Sequence, residues 1–421
     1  MSAGWSYARA EEHLRSLELF GMRFGLERMH RLMTALDSPQ RRFASIHVVG
    51  TNGKSSTVRM TAAILQRHGL RTGTYVSPHL TSFTERVQVD GSDIDAFAFA
   101  AAVERAARAA TLVDRTLEGG ERVTQFELLT AAAYDELAER EVDVAVIEAG
   151  LGGRYDATNV IPSAVQALTN VGLEHTRWLG PTVLDIAREK LAVVRDSGTL
   201  VIGALEPEAR AEAVAVAAHR AARLLEAPAA VSSETALAAR GTFQRRNFAL
   251  ASTVATAFHG PLNDAAVRDA AAAVTVPGRC EIVASDPLTV LDGAHNPSGM
   301  AALVESLPEI GGARRPTPVV AVVSILEDKD AAGMLAELLA ACDAAIFTSN
   351  ASPRALPPAT LQSLAGQVGF AGSAEIVADP GRALSLGRER AGRGGMVLAT
   401  GSIYLVAELA RVLPAVDAQA R

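Results

Sequence analysis

The sequence predicts an α/β protein of two domains: an N-terminal P-loop domain on a doubly wound, mostly parallel sheet, and a smaller, Rossmann-like C-terminal domain. Three observations predict it. Short apolar, β-branched runs alternate with alanine-rich helical stretches from about residue 45, as parallel strands covered on both faces require. The first such run, Ile46-His-Val-Val49, passes into Gly50-Thr-Asn-Gly-Lys-Ser-Ser-Thr57 at the start of a helix. The alternation then resets near Val276-Pro-Gly-Arg279, and a second series of strand-like runs follows. A chain of 421 residues is also too long for one ordinary core.

Taken in order, residues 1–44 carry helical spacing in Leu14, Leu17, Leu19 and Phe20, and again in Leu26, Met29, Leu32 and Met33. Strands are expected at 45–49, 72–76, 142–148, 164–169 and 199–203, with helices at about 95–113, 124–140 and 207–226. A weakly patterned region runs to about 240, and a helix is expected from Phe243 through Ser252. The second series places strands at 288–292, 318–324, 344–348 and 396–400. Ser285-Asp-Pro287 breaks the pattern, so the domains are drawn at 1–284 and 285–421, and 311–318 is expected to be an exposed loop.

Composition excludes several classes. Half the residues are apolar and a fifth charged, a globular balance. A net charge of −7, without a basic stripe interleaved with aromatics, argues against nucleic acid as a partner. Two cysteines, Cys280 and Cys342, cannot build a disulfide framework, which favours a reducing, cytoplasmic setting. No apolar run reaches the ~20 residues of a membrane span, and the N-terminus has no apolar signal core.

The stretch 46–57 has the architecture of a phosphate cradle. Gly53 opens the helix, backbone N–H groups and the helix N-terminus face an anion, Lys54 adds a point charge, and a hydroxyl of Ser55 or Ser56 can reach Mg²⁺. The form is the short Gly-x-x-Gly-Lys-Ser; the bland alternative is an ordinary strand-to-helix turn. Other unusual residues stand at strand ends: Ser77 in Ser-Pro-His-Leu80, Glu148 before Ala-Gly-Leu-Gly-Gly-Arg154, and His175 in Leu-Glu-His-Thr176. In a parallel sheet these all reach one edge, where ligands collect. Taken singly, a glutamate or histidine at a strand end is as often a cap. Arg154 can clamp a carboxylate or be a surface arginine beside a tight turn.

Blocks along the chain carry a resemblance. GTNGKSST, YVSPHL with FTERVQVDG, TQFELLT, IEAGLGGRYDATN, LEHTRWLG, AREKLA, PGR, LDGAHNPSG and TGSIYL occur in that order between about residues 40 and 406. The chain resembles the folylpolyglutamate synthase/dihydrofolate synthase family of the Mur ligase superfamily. The resemblance implies an ATP-dependent ligase with a central-type P-loop domain and a C-terminal glutamate-ligase domain. Such enzymes phosphorylate a pterin-bearing carboxylate and let the amine of L-glutamate displace the phosphate. By matching motifs, Gly53, Lys54, Ser55 and Ser56 would cradle the ATP phosphates, with Asn247, Arg279 and Asp292 completing the nucleotide site, the last two from across the domain junction. Ser77, Glu148 and His175 would hold Mg²⁺, and Lys190, carbamylated, a second Mg²⁺. His295 would stand near the phosphates as a catalytic residue alongside Lys54 and Lys190. Gln125, Phe126, Arg154 and Asp156 would meet the pterin substrate, and Ser402 the incoming glutamate. Ser55 departs from the glycine usual after the cradle lysine, and Glu174 from the usual aspartate. A monomer is expected, with ATP, L-glutamate and dihydropteroate or reduced folates as small-molecule partners and no membrane. Two other readings are a Mur-type ligase for a different acid and a non-catalytic, ATP-gated binding module.

Overall fold

The computed structural model describes residues 4–17, 25–119, 121–312 and 316–413. Leu19 and Phe20, and the middle of the 311–318 stretch, lie outside them. The chain divides into two compact units, Met1–Ala236 with Arg246–Val274, and Leu237–Arg245 with Thr275–Arg421.

The first unit is built on eight strands: β1 (Ala44–Val49), β2 (Thr72–Tyr75), β3 (Val87–Val89), β4 (Ser92–Asp93), β5 (Val144–Glu148), β6 (Val165–Leu168), β7 (Thr199–Ile202) and β8 (Arg223–Glu226). Their order across the sheet is β4-β3-β2-β5-β1-β6-β7-β8. From β2 to β8 every neighbouring pair is parallel, and only the β2-β3-β4 edge is antiparallel. The central strands β1 and β5 are buried almost throughout, which explains their near-continuous apolar runs. Helices cover both faces. Ala96–Asp114 and Gln125–Glu139 bury alanine-rich stripes with Tyr75, Tyr134 and Leu137 on one side. On the other, Ala187, Leu191, Ala209 and Ala213 close over Leu168, Leu200 and Ile202.

The strands read for the first unit stand where the sequence places them. The helix expected from Phe243 through Ser252 spans Thr242–His259, helices at Val183–Leu191 and Asp264–Ala273 were not expected, and two further differences stand out. The helix expected over 207–226 ends at His219, because Ala221 takes a left-handed φ of 48°, and the remainder forms the edge strand β8. Between β2 and the Ala96–Asp114 helix, a hairpin adds β3 and β4 around Asp90-Gly91, both at positive φ (50° and 76°), as a primed turn demands.

The second unit carries six strands: β9 (Glu281–Ser285), β10 (Leu288–Leu291), β11 (Val319–Val323), β12 (Ala344–Phe347), β13 (Ser373–Ile376) and β14 (Met396–Thr400), ordered β13-β12-β11-β14-β10-β9. All pair in parallel except β9, which is antiparallel to β10. The break read at Ser285-Asp-Pro287 is the turn of that hairpin. Its core is Met300, Leu303, Ala321, Val323, Leu335, Phe347 and Leu398.

Candidate active site

The carboxyl ends of β1, β5, β2 and β6 are adjacent because their registers are: Val48 pairs with Glu148, Ile147 with Tyr75, and Val49 with Leu168. The segments leaving those ends therefore crowd one edge of the first sheet.

After β1 the chain turns at Gly50 and Gly53, the latter a left-handed N-cap (φ 81°) for the helix Lys54–Arg67. A side chain at either glycine would force a neighbour to shift. A Cβ on Gly50 would lie 1.8 Å from Thr169 Oγ1, and one on Gly53 2.4 Å from Asn247 Oδ1. The loop is laced to the segment after β6. Thr51 N donates to Asn170 O (3.0 Å), Asn52 N to Asn170 Oδ1 (2.9 Å), and Thr169 Oγ1 to Asn52 O (2.6 Å). Gly172 N donates to Thr51 Oγ1 (3.0 Å). Lys54 reaches back over the loop, its Nζ 3.0 Å from Thr51 O. These ties preorganise a turn whose N–H groups and helix terminus suit phosphate oxygens. Thr51, Asn52, Thr169 and Asn170 were not singled out from the sequence; their signal was a Thr-Asn pair directly after an apolar strand.

Glu148 ends β5 and is buried. Ser55 Oγ donates to its Oε1 (3.0 Å), and the backbone N–H of Ser77 to its Oε2 (3.2 Å). Of the two hydroxyls that the sequence left open, Ser55 joins this cluster, whereas Ser56 is buried within its helix. Carboxylate and hydroxyl oxygens fit a hard cation such as Mg²⁺. Among the described residues no group of three or more His, Cys, Asp or Glu side chains could hold a metal ion. An ion that draws its remaining ligands from phosphate and water needs none. His175 caps the short helix Thr176–Leu179 from a left-handed φ of 53°, with Nε2 3.7 Å from Glu174 Oε1.

Lys190 lies in the helix Val183–Leu191 and is buried, its Nζ donating to Gly50 O (2.8 Å). Burial first, then the neighbouring Lys54 charge, pushes its pKa down to about 7, against the attraction of Glu174 and Asp156.

The glycine-rich turn after β5 docks on that helix. A Cβ on Gly153 would stand 2.9 Å from Glu189 O and 2.8 Å from Lys190 O, and one on Gly150 2.5 Å from the Phe126 ring. Arg154 pairs with Glu189 (Nε to Oε1, 2.8 Å), so it also fastens the turn to the helix. Asp156 is buried and accepts from Leu151 N (2.7 Å) and Thr158 N (3.0 Å). Desolvation raises its pKa against those hydrogen bonds. Gln125 donates to Leu14 O (2.7 Å), tying the helix Tyr7–Ser16 to the start of the helix that carries Phe126.

In the second unit β10, β14 and β11 are in parallel register, so Asp292, His295 and Ser402 leave the same edge of the second sheet. Asp292 accepts from Cys280 N (2.8 Å) and Ala294 N (2.7 Å). Burial raises its pKa, and the Arg279 charge opposes that rise. The Arg279 guanidinium lies against Gly293, where a Cβ would come within 2.1 Å of Nη1. His295 Nδ1 is 2.9 Å from Gly293 O, so that nitrogen carries the proton. Ser402 is buried and caps the helix Ile403–Val412, accepting from Tyr404 N (3.1 Å).

Comparison with known proteins accounts for both units. A family model described as "Mur ligase, glutamate ligase domain" matches residues 278–403. The dihydrofolate synthase/folylpolyglutamate synthase of Mycobacterium tuberculosis is 36% identical over 380 residues, 81% of this chain and 77% of that protein. The folylpolyglutamate synthase structure from the same organism, complexed with ADP, superposes with a TM-score of 0.89 at 31% identity, over 97% of this chain and 98% of that one. A bifunctional folylpolyglutamate synthase/dihydrofolate synthase structure with Mn, AMPPNP and L-glutamate bound gives a TM-score of 0.83 at 31% identity, over 97% of this chain and 98% of that one. The chain belongs to the dihydrofolate synthase/folylpolyglutamate synthase family of Mur ligases.

Proposed function

We propose that the chain is a cytoplasmic, monomeric ATP-dependent ligase that joins L-glutamate to dihydropteroate, to a reduced folate or to both, releasing ADP and phosphate. The observation that carries this reading is the gathering of Lys54, Ser55, Glu148 and Lys190 at one sheet edge in a member of this family.

A carboxylate does not acylate an amine until one oxygen becomes a leaving group. Transfer of the γ-phosphoryl of ATP to that oxygen gives an acyl phosphate and ADP. The glutamate amine then attacks the acyl carbon, and the C–O bond to phosphate breaks as the C–N bond forms. Two anions meet in the first step, so cationic charge must be in place beforehand. In this reading the 50–56 loop holds the phosphates, Lys54 neutralises developing charge, and Asn247, Arg279 and Asp292 bind the rest of the nucleotide. Ser55, Ser77, Glu148 and His175 would hold Mg²⁺, which would offset charge on the phosphate oxygens. His295 stabilises the phosphoryl group, Gln125, Phe126, Arg154 and Asp156 orient the pterin acid, and Ser402 receives glutamate.

Lys190 is assigned a carbamate. A buried amine whose pKa is near 7 is substantially neutral at physiological pH, and the neutral amine is the form that adds CO₂, losing a proton. The anionic product would face Lys54 as a partner instead of a like charge and would offer two oxygens to a second Mg²⁺. Phosphate release from ATP in the presence of glutamate tests the function, with dihydropteroate in one arm and a reduced folate in the other. Release that depends on glutamate and on at least one of these acids is expected. ATP binding with no acid-dependent release in either arm would leave only a nucleotide-binding module.

A further inference from the structure

His47 has no place in the site described so far. It lies in the middle of β1, three residues ahead of Gly50, and is fully buried. Its Nε2 is 2.8 Å from Thr158 Oγ1, and that hydroxyl donates to Asp156 Oδ1 at 2.5 Å. A hydroxyl has one proton, so the imidazole must be the donor in the other bond and is the Nε2–H tautomer. Nδ1 then presents a lone pair to the core, and it has no hydrogen-bond partner among the described residues. Leaving a buried acceptor unpaired is costly, and an apolar side chain would fill this strand position without that cost. The histidine is explained by what Nε2 holds.

What it holds is the end of the glycine-rich turn. Asp156 closes that turn on itself through Leu151 N and Thr158 N, and the turn in turn rests on Phe126 and on the carbonyls of Glu189 and Lys190. The same strand that carries His47 runs directly into the phosphate loop. We propose that His47 is a positioning residue for the acid substrate. Through Thr158 it fixes Asp156, and so keeps the Gly150–Asp156 turn in register with the phosphate loop. The inference rests on the reading that this turn meets the pterin acid.

Full-length His47→Leu, His47→Gln and Thr158→Val are compared in steady-state phosphate release with dihydropteroate or a reduced folate, whichever the wild type uses. Loss of the hydrogen bond to a carboxylate-bound hydroxyl should raise KM for the pterin acid about tenfold in His47→Leu, with kcat and KM for ATP changed by less than about twofold. Glutamine can donate from Nε2 as the imidazole does, so His47→Gln should recover most of that loss. Thr158→Val should reproduce the effect of His47→Leu, and the double variant should be no worse than either single one. Unchanged KM for the acid in both His47→Leu and Thr158→Val would overturn the proposal. So would a fall in kcat accompanied by a similar rise in both KM values, or a glutamine variant as impaired as the leucine one. A wild-type chain that needs neither acid would overturn the functional reading itself, and does so before any variant is assayed.

Discussion

Single side chains here act through their electrostatic surroundings. Lys54 holds its ammonium against the cradle backbone, and Lys54→Ala is expected to lower turnover by at least about a hundredfold, as loss of a preorganised charge at a reacting anion does. Glu148→Ala removes the carboxylate that gathers Ser55 and Ser77, so half-maximal activity should require far more Mg²⁺. Phosphate release with and without a Mg²⁺ titration checks both, and near-normal activity in either variant would remove that residue from the site. His47 makes a prediction about stability. Burial, with Arg195 adding to it, pushes its pKa down to about 3, whereas an unfolded chain protonates the ring near 6.5. Between those values the unfolded state binds the extra proton, so stability falls as pH falls through this window, by roughly 1 kcal/mol per pH unit. Urea unfolding at pH 7 and pH 5 should therefore show a shallower acid loss for His47→Gln than for the wild type. Equal slopes would count against it. Most of these residues were legible as chemistry at strand ends. His47 was not, because a histidine inside an apolar strand looks like any core residue until its neighbour in the fold is known.

At the scale of elements, the strands and helices read best where burial on both faces made the pattern continuous. The two central strands differ by one or two residues from the runs in the sequence. Edge strands were missed for a physical reason: β8 and β13 are exposed at their ends, so they lack the apolar run that betrays a buried strand. The β3–β4 hairpin did announce itself, in Asp90-Gly91 between short alternating segments, and that turn signal went unread. The glycines of the cradle allow a test at this scale. Gly53 is both left-handed and in contact with Asn247, so Gly53→Ala combines a strained backbone with a steric clash. A loss of roughly 2 kcal/mol in stability and weaker nucleotide binding are expected from the strain alone, checked by urea unfolding and by titration with a fluorescent ATP analogue. An alanine variant of wild-type stability and affinity would mean the turn has another conformation open to it.

For the molecule as a whole, the sequence carried more about the first sheet than about how its loops hold one another. Strand ends that are far apart in the chain, at residues 49, 75, 148 and 168, become neighbours only through register, and no local pattern encodes register between distant parallel strands. Among the described residues no helix is long and apolar enough to cross a membrane. Because the site is assembled from several strand ends, a bound ligand should brace the fold that presents it. A non-hydrolysable ATP analogue at a hundred times its Kd adds about 2.7 kcal/mol to the folded state. Thermal unfolding should shift upward with analogue plus Mg²⁺ and return to the unliganded value when the metal is chelated. A shift that survives chelation would mean nucleotide binding does not use the Glu148 cluster.

Gly153 has a practical consequence for anyone re-engineering the chain. It sits flat against the last carbonyls of the helix that bears Lys190, and Arg154 bolts the same junction from outside. Grafting a foreign 150–156 segment to accept a new acid would lift that helix end and misplace the lysine with it. A successful transplant has to carry residues 183–191 along as matched cargo.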